Sequence, residues 1–104
     1  MSDAAHPHLS PVIELLLELR SYLALPGNQF LWSGWESTEE ALSEVDRLIL
    51  LAERGEPGIP MLLRSLFTPT GDVHEVSLSS GWSDEYRSLA SRCDEVLSSP
   101  PYLA

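Results

Sequence analysis

Four clusters of proline and glycine divide this chain into short segments, which limits how far any helix or strand can extend. The clusters are Pro26-Gly27-Asn28, Glu56-Pro57-Gly58, Thr68-Pro69-Thr70-Gly71-Asp72 and Pro100-Pro101. Proline removes a backbone donor and fixes φ, and glycine readily adopts turn conformations, so each cluster ends a regular element. The chain must therefore fold as several short elements joined by turns.

Three of these segments repeat apolar residues at helical spacing and predict three amphipathic helices. The first follows Ser10-Pro11, the second begins at Ser37 in a capping box with Glu40, and the third opens at Ser83. The apolar stripes consist of Val12, Ile13, Leu16, Leu19 and Leu23 in the first helix, Leu42, Val45, Leu48, Ile49 and Ala52 in the second, and Tyr86, Leu89, Ala90, Cys93, Val96 and Leu97 in the third.

Residues 61–67 and 73–79 predict two β-strands. In the second of them Val76 and Leu78 alternate with polar residues, as on a half-buried strand. The turn residues between the two segments complete a β-hairpin. Residues 61–67 could instead form a short helix, because seven residues do not distinguish the two periods.

The predicted fold class is α+β. We expect a single compact domain of order α-α-β-β-α, with three amphipathic helices packed on the β-hairpin. At 104 residues and 11.5 kDa the chain is long enough to bury one core. Residues 1–9 are polar and predict a flexible N-terminal arm, and residues 10–104 form the domain.

We expect a cytoplasmic protein. The single Cys93 excludes an intramolecular disulfide, and the N-terminus lacks the basic region of a signal peptide. The longest apolar runs, residues 15–17 and 48–52, are far shorter than the ~20 residues that span a bilayer.

Charge is the most unusual property of the sequence. Sixteen acidic residues against six arginines and no lysine give a formal net charge of −10. This charge repels phosphates, so it argues against nucleic acid and membrane lipid as ligands and favours a protein partner with a basic surface.

The acids cluster where two of the predicted helices start, each time after a tryptophan. If the hairpin brings the two helix starts together, they form one acidic patch with Trp35 and Trp82 as aromatic anchors. The alternative is that both tryptophans are core residues under a polar rim. The predicted partner-binding residues are Trp35, Glu36, Glu39, Glu40, Glu44, Asp72, Glu75, Trp82, Asp84 and Glu85.

Residues suited to catalysis or metal binding are few. Cys93 lies on an apolar helical stripe, which indicates a buried thiol rather than a nucleophile. Two groups contain possible metal ligands: Asp3, His6 and His8 in the predicted arm, and Asp72, His74 and Glu75 near the predicted turn. The first group lies in a solvated tail, and on a strand Glu75 would point away from its two companions. We therefore predict no catalytic residue, no metal and no cofactor, and a protein that is not an enzyme.

Three stretches, PGNQFLWSGWE (26–36), LFTPTG (66–71) and EVSLSSGWSDEY (75–86), resemble small acidic bacterial immunity proteins of polymorphic and contact-dependent toxin systems. The resemblance implies a cognate protein toxin that is bound and silenced in the cytoplasm. It carries no catalytic motif and assigns no role to an individual residue.

Two alternatives to an immunity protein remain. One is an acidic homodimeric adaptor that pairs through the edge of its hairpin. The other is a small-molecule enzyme that uses Asp72, His74 and Glu75 in a cleft. We expect the free protein to be a monomer or a homodimer.

Overall fold

Five α-helices make up the regular structure of the residues that the computed structural model describes, which are 10–31, 33–69 and 71–99. The helices are α1 (Ser10–Leu23), α2 (Thr38–Glu53), α3 (Ile59–Leu66), α4 (Asp72–Ser80) and α5 (Ser83–Leu97). α1 packs against α2 and α5, α3 packs against the same two helices, and α4 packs against α5. α5 therefore contacts three of the other four helices. The predicted arm, with its two histidines, lies outside the described residues.

The three helices predicted from periodicity are confirmed as α1, α2 and α5. At the start of α2 the Ser37 hydroxyl accepts a hydrogen bond from the Glu40 N–H at 3.2 Å, as the capping box predicts. The Glu40 carboxylate reaches back to accept the Glu36 N–H at 2.9 Å, one residue outside the cap. The Ser37 and Glu40 side chains therefore each bind a backbone N–H at the start of α2.

The predicted β-hairpin is wrong, and with it the α+β fold class, because the two segments form helices α3 and α4 and no strand occurs in the described ranges. In α4 the buried residues are Val73, Val76 and Ser77, which are three and four positions apart. Leu78, expected to share a strand face with Val76, is 54% exposed. Burial thus follows the period of a helix rather than that of a strand.

The ends of α4 explain why this segment is helical despite its β-branched valines. Asp72 and Glu75 place negative charge in the first turn, where the helix dipole favours it. At the other end Gly81 adopts a left-handed conformation with φ of +86°, and its N–H donates to the Ser77 carbonyl at 3.0 Å. Glycine is the residue that best tolerates this terminating geometry.

For α3 the short-helix alternative is the one that the structure adopts. Pro60 lies in the first turn, where its missing N–H costs nothing. Ile59, Leu63 and Leu66 are buried at intervals of four and three residues, whereas Met61 is 74% exposed.

One hydrophobic cluster draws on all five helices. Its fully buried members include Leu15, Leu16, Leu19 and Leu23 of α1, Leu48 of α2, Ile59 and Leu63 of α3, Val73 of α4, and Leu89 and Leu97 of α5. Deletion of such a leucine typically costs ~2–5 kcal/mol, so the cluster is the main source of stability.

Two ion pairs fasten α1 to its neighbours. Arg20 Nε lies 2.7 Å from Asp46 Oδ1 on α2, and Arg92 Nη1 of α5 lies 2.7 Å from Glu18 Oε2. The hydrogen bond from Arg20 lowers the pKa of the Asp46 carboxyl. Two of the acids are therefore neutralised locally by arginine.

Among the described residues, no helix is both long and apolar enough to cross a bilayer.

Candidate partner-binding face

The loop between α1 and α2 runs along α4 from its C-terminal end to its N-terminal end. The Gln29 N–H donates to Ser80 Oγ at 2.8 Å, and the Gly34 N–H donates to Asp72 Oδ1 at 2.7 Å. We call residues 28–31 and 33–35 the strap. A Cβ atom on Gly34 would lie only 3.0 Å from Asp72 Oδ1, so glycine allows this close approach.

The two acidic clusters lie at opposite ends of α4. Trp35 is the last residue of the strap and adjoins Gly34, which is bonded to Asp72 at the start of α4. α5 begins at Ser83, just beyond the end of α4. A helix of nine residues separates these points by roughly 12 Å, at 1.5 Å per residue. The hairpin that was expected to bring the two helix starts together is absent, and α4 holds them apart instead.

Both predicted aromatic anchors belong to the core. Trp35 is 8% exposed and Trp82 is 4% exposed. The Trp82 indole stacks on Tyr22 with ring centroids 5.3 Å apart, and its Nε1–H donates to Asn28 Oδ1 at 2.9 Å. The structure therefore favours the core alternative, because side chains so deeply buried offer a partner little contact area.

Around Trp35 the surface is concave and acidic. A shallow cleft of about 540 Å³ is lined by Trp35, Glu39, Glu40, Ser43, Glu44 and Arg47. A second cleft of about 300 Å³ adjoins it at Trp35 and Glu44 and extends to Asp72. We call Glu36, Glu39, Glu40, Glu44 and Asp72 the acidic face.

Three members of the acidic face are held by contacts within the protein. The Glu40 carboxylate accepts the Glu36 N–H, Asp72 accepts the Gly34 N–H, and Glu44 Oε2 lies 3.2 Å from Arg47 Nη2. Arg47 supplies one positive charge against five negative ones. The face is therefore strongly negative and partly fixed in position.

The cluster at the start of α5 is smaller. Asp84 forms an ion pair with Arg87, and both side chains are exposed. Glu85 is exposed in the first turn, where it faces the positive end of the helix dipole. Glu75, the remaining predicted site residue, is half-buried one turn into α4.

The residues of the enzyme alternative do not converge on one cleft. Asp72 lines the cleft beside Gly34, whereas His74 stacks on Tyr86 with centroids 4.8 Å apart and lines another cleft against α5. Within the described ranges, no group of three or more His, Cys, Asp or Glu residues is arranged to hold a metal ion.

Cys93 is buried, as its place on the apolar stripe predicts, with 1% of its surface exposed. Burial raises the pKa of its thiol to about 11; Asp94 adds to the rise and Arg64 opposes it. The thiol is therefore protonated at neutral pH and is a poor nucleophile.

A third cleft, of about 650 Å³, was not predicted from the sequence. It lies between the end of α3, the start of α4 and α5, and we call it the α5 cleft. Arg87, Ala90 and Asp94 recur along α5 at helical spacing and line it. That spacing is visible in the sequence. The wall of the cleft that faces α5, however, comes from the segments that the sequence predicts as a β-hairpin.

No protein-family model, curated protein or solved structure matches this chain.

Proposed function

We propose that the protein is a non-enzymatic immunity protein, or antitoxin, that binds a basic protein toxin through its acidic face and occludes the toxin's active site. The observation that carries this proposal is a concave surface whose lining holds four carboxylates and a single arginine, with Glu36 beside it, where its N–H donates to the Glu40 carboxylate. Toxins that act on nucleic acid have basic clefts, which such a surface complements.

The distribution of arginine makes this end of the molecule the natural docking surface. Arg20 neutralises Asp46 and Arg92 neutralises Glu18, on the side where α1 meets α2 and α5. The acidic face has only Arg47. Because its charges are largely uncompensated, it contributes strongly to the field that a basic partner meets first.

Electrostatic steering is the expected mechanism of fast capture. Complementary charge raises association rate constants to ~10⁸–10⁹ M⁻¹s⁻¹ at low salt, compared with ~10⁵–10⁶ M⁻¹s⁻¹ for neutral surfaces. A toxin must be silenced before it acts, so speed of association matters as much as affinity.

Trp35 has a supporting role in this proposal rather than that of an anchor. Its buried ring lines both clefts of the acidic face, and the Gly34–Asp72 hydrogen bond holds the adjacent backbone. A surface fixed before binding loses little entropy when the partner docks.

The first experiment is capture of binding proteins from the native cell with the full-length chain at low and high salt. The expected result is one stoichiometric partner with a basic domain that inhibits growth when expressed alone, and rescue of growth by co-expression of this chain. A captured partner whose expression leaves growth unaffected would contradict the proposal, as would the absence of any partner at either salt concentration.

Charge-neutralised variants then test the face itself. The test variant carries Glu36→Gln, Glu39→Gln and Glu44→Gln, and the control carries three exposed glutamates elsewhere, Glu14→Gln, Glu53→Gln and Glu56→Gln. Both change the net charge by the same amount, so they separate a local surface from bulk charge.

The test variant should associate with the captured toxin about tenfold more slowly at low salt, while the control changes the rate constant less than twofold. Stopped-flow fluorescence measures both rate constants, and thermal unfolding checks that the two variants stay folded. Equal slowing in the two variants would place the contact somewhere other than the acidic face.

The homodimeric adaptor loses its structural basis, because it depended on the edge of the hairpin. The described residues contain no strand and therefore offer no such edge.

A further inference from the structure

α1 and α2 pack side by side and run in opposite directions. The end of α1 meets the start of α5, where Tyr22 stacks on Trp82. The end of α3 meets the start of α5 as well, where the Tyr86 hydroxyl donates to the Phe67 carbonyl. Both helices pack along α5, so both run against it and are parallel to each other. α2 is joined to α3 by residues 54–58 alone and packs on it as an antiparallel hairpin, so α2 opposes α1.

One ion pair sets the register of α1 against α2. Arg20 Nε of α1 lies 2.7 Å from Asp46 Oδ1 of α2. Leu17 lies three residues before Arg20, and Leu50 lies four residues after Asp46. Each step is about one helical turn, and because the helices are antiparallel both steps lead the same way along the groove. Leu17 and Leu50 therefore lie next to each other.

These two leucines are the exposed part of a larger apolar surface. Leu17 is 51% exposed and Leu50 is 45% exposed. Ile13, one turn before Leu17, and Ile49, one turn after Asp46, are half-buried and pack against the core. We call the surface of these residues and the ion pair the seam, namely Ile13, Leu17, Arg20, Asp46, Ile49 and Leu50. Adjacent exposed apolar side chains favour association with another surface.

The seam carries both signs of charge, unlike the acidic face. Arg20 and Asp46 neutralise each other within it, and the exposed Glu14 and Glu53 border it one turn beyond the leucines. Two copies related by a twofold axis present the same surface to each other, so that surface must be complementary to itself. The carboxylates of the acidic face would repel a second copy, whereas an arginine beside an aspartate can pair with one.

We propose that the protein forms a symmetric homodimer through the seam, with α1 of each copy lying over α2 of the other. A twofold axis along the groove produces this arrangement. It places Arg20 opposite Asp46 of the second copy, and Leu17 opposite Leu50 of the second copy. The dimer uses helix faces and not the strand edge on which the adaptor alternative depended. It does not rest on the proposed function.

The size of the seam indicates a dimer that dissociates readily. α1 and α2 are about 21 and 24 Å long and each about 10 Å wide, so together they present roughly 400 Å² in projection. Stable interfaces take ~800 Å² from each partner, and smaller ones are typical of transient complexes. The net charge of −10 on each copy adds long-range repulsion. We therefore expect a dissociation constant of roughly 10–100 µM.

Sedimentation velocity of the full-length chain tests the dimer. Between roughly 1 µM and 1 mM, the mass should rise from 11.5 kDa towards twice that value. A chain that stays monomeric over this range would overturn the proposal. Assembly beyond a dimer would overturn it as well, because a twofold interface closes on itself.

Leucine-to-glutamate variants locate the interface. Leu17→Glu and Leu50→Glu each put a charge into the contact and should weaken dimerisation at least about tenfold. Leu78→Glu is the matched control, because Leu78 on α4 is 54% exposed and its substitution changes the net charge equally. The control should change the dissociation constant less than about twofold. Equal weakening in all three variants, or no weakening in any, would place the contact elsewhere and overturn the proposal.

Charge variants test whether the partner is a second copy in this arrangement. Arg20→Asp gives a seam with two acids, and Asp46→Arg gives a seam with two arginines. Each variant alone should stay monomeric where the unaltered chain dimerises, because its copies repel one another. An equimolar mixture should regain the dimer, since the two variants complement each other.

Circular dichroism checks that both charge variants stay folded, as expected for the loss of an exposed ion pair. A mixture that stays monomeric would contradict the twofold arrangement. Dimerisation of each variant alone with the affinity of the unaltered chain would contradict it too.

Discussion

Asn28 is a single side chain that joins the strap, the end of α1 and Trp82. Its Nδ2 donates to the Tyr22 carbonyl at 2.8 Å and to the Leu23 carbonyl at 3.0 Å, and its Oδ1 accepts from Trp82 Nε1 at 2.9 Å. The two carbonyls belong to the last turn of α1, where they have no partner within the helix, although the Tyr22 carbonyl also accepts the Leu25 N–H at 3.2 Å. Replacement of Asn28 by alanine therefore removes three hydrogen bonds at once.

The magnitude follows from what each partner loses. The Trp82 side chain is 4% exposed, so its indole N–H has little access to water and its loss of a partner costs ~1–3 kcal/mol. The two carbonyls at the end of α1 lose a further ~1 kcal/mol, because water can reach this turn. We expect Asn28→Ala to lower the free energy of unfolding by ~2–4 kcal/mol, out of about 5–15 kcal/mol for a domain of this size.

Urea unfolding followed by tryptophan fluorescence measures this change, with circular dichroism as a second probe. Gln29→Ala is the matched control: its side chain makes only a 3.4 Å contact to the Gly27 carbonyl, and the loss should stay below about 0.5 kcal/mol. A double-mutant cycle with Trp82→Phe should show ~1 kcal/mol of coupling between Asn28 and the indole. A loss in Asn28→Ala no greater than in the control, or a coupling near zero, would refute this reasoning.

Three further predictions concern single residues. Folding raises the pKa of the Cys93 thiol from 9.0 to about 11, so the unfolded chain loses the thiol proton at lower pH than the folded protein. The free energy of unfolding therefore keeps the full contribution of this thiol below pH 9 and falls by up to ~1.4 kcal/mol per pH unit between pH 9 and 11. This part of the pH dependence of unfolding should be absent in Cys93→Ala. Ser37→Ala should lower the free energy of urea unfolding by ~1 kcal/mol through loss of the α2 cap, and an unchanged midpoint would contradict the capping role. Gly81→Ala should cost ~1–2 kcal/mol because its φ is +86°, while Gly58→Ala, at φ of −80° with equally open space around a Cβ, should be neutral or slightly stabilising in the same assay.

The sequence determined the three longer helices. Each of α1, α2 and α5 spans about four turns, and over that length apolar residues at intervals of three and four cannot be confused with strand alternation. The cap at Ser37 was also readable, because its hydrogen bonds connect residues within one turn. The burial of Cys93 followed from its helical stripe in the same way.

Apolar periodicity in the sequence does not determine the short helices α3 and α4. They have eight and nine residues, about two turns, over which helical and strand periods overlap. For α4 the sequence does contain helix signals, namely acids in the first turn and Gly81 at the end. The alternation of Val76 and Leu78 with polar residues favoured a strand instead. Because the hairpin was wrong, the expected meeting of the two acidic helix starts was wrong as well.

Only the tertiary structure decided where the two tryptophans and the acids lie relative to each other. Asn28 and Tyr22 bring Trp82 into the core across more than fifty residues of chain, and Asp72 holds the strap beside Trp35. These contacts join residues far apart in sequence, so no local pattern records them. Local hydrogen bonds and periodicity determine the long helices, whereas the acidic face and the α5 cleft arise from how the helices pack.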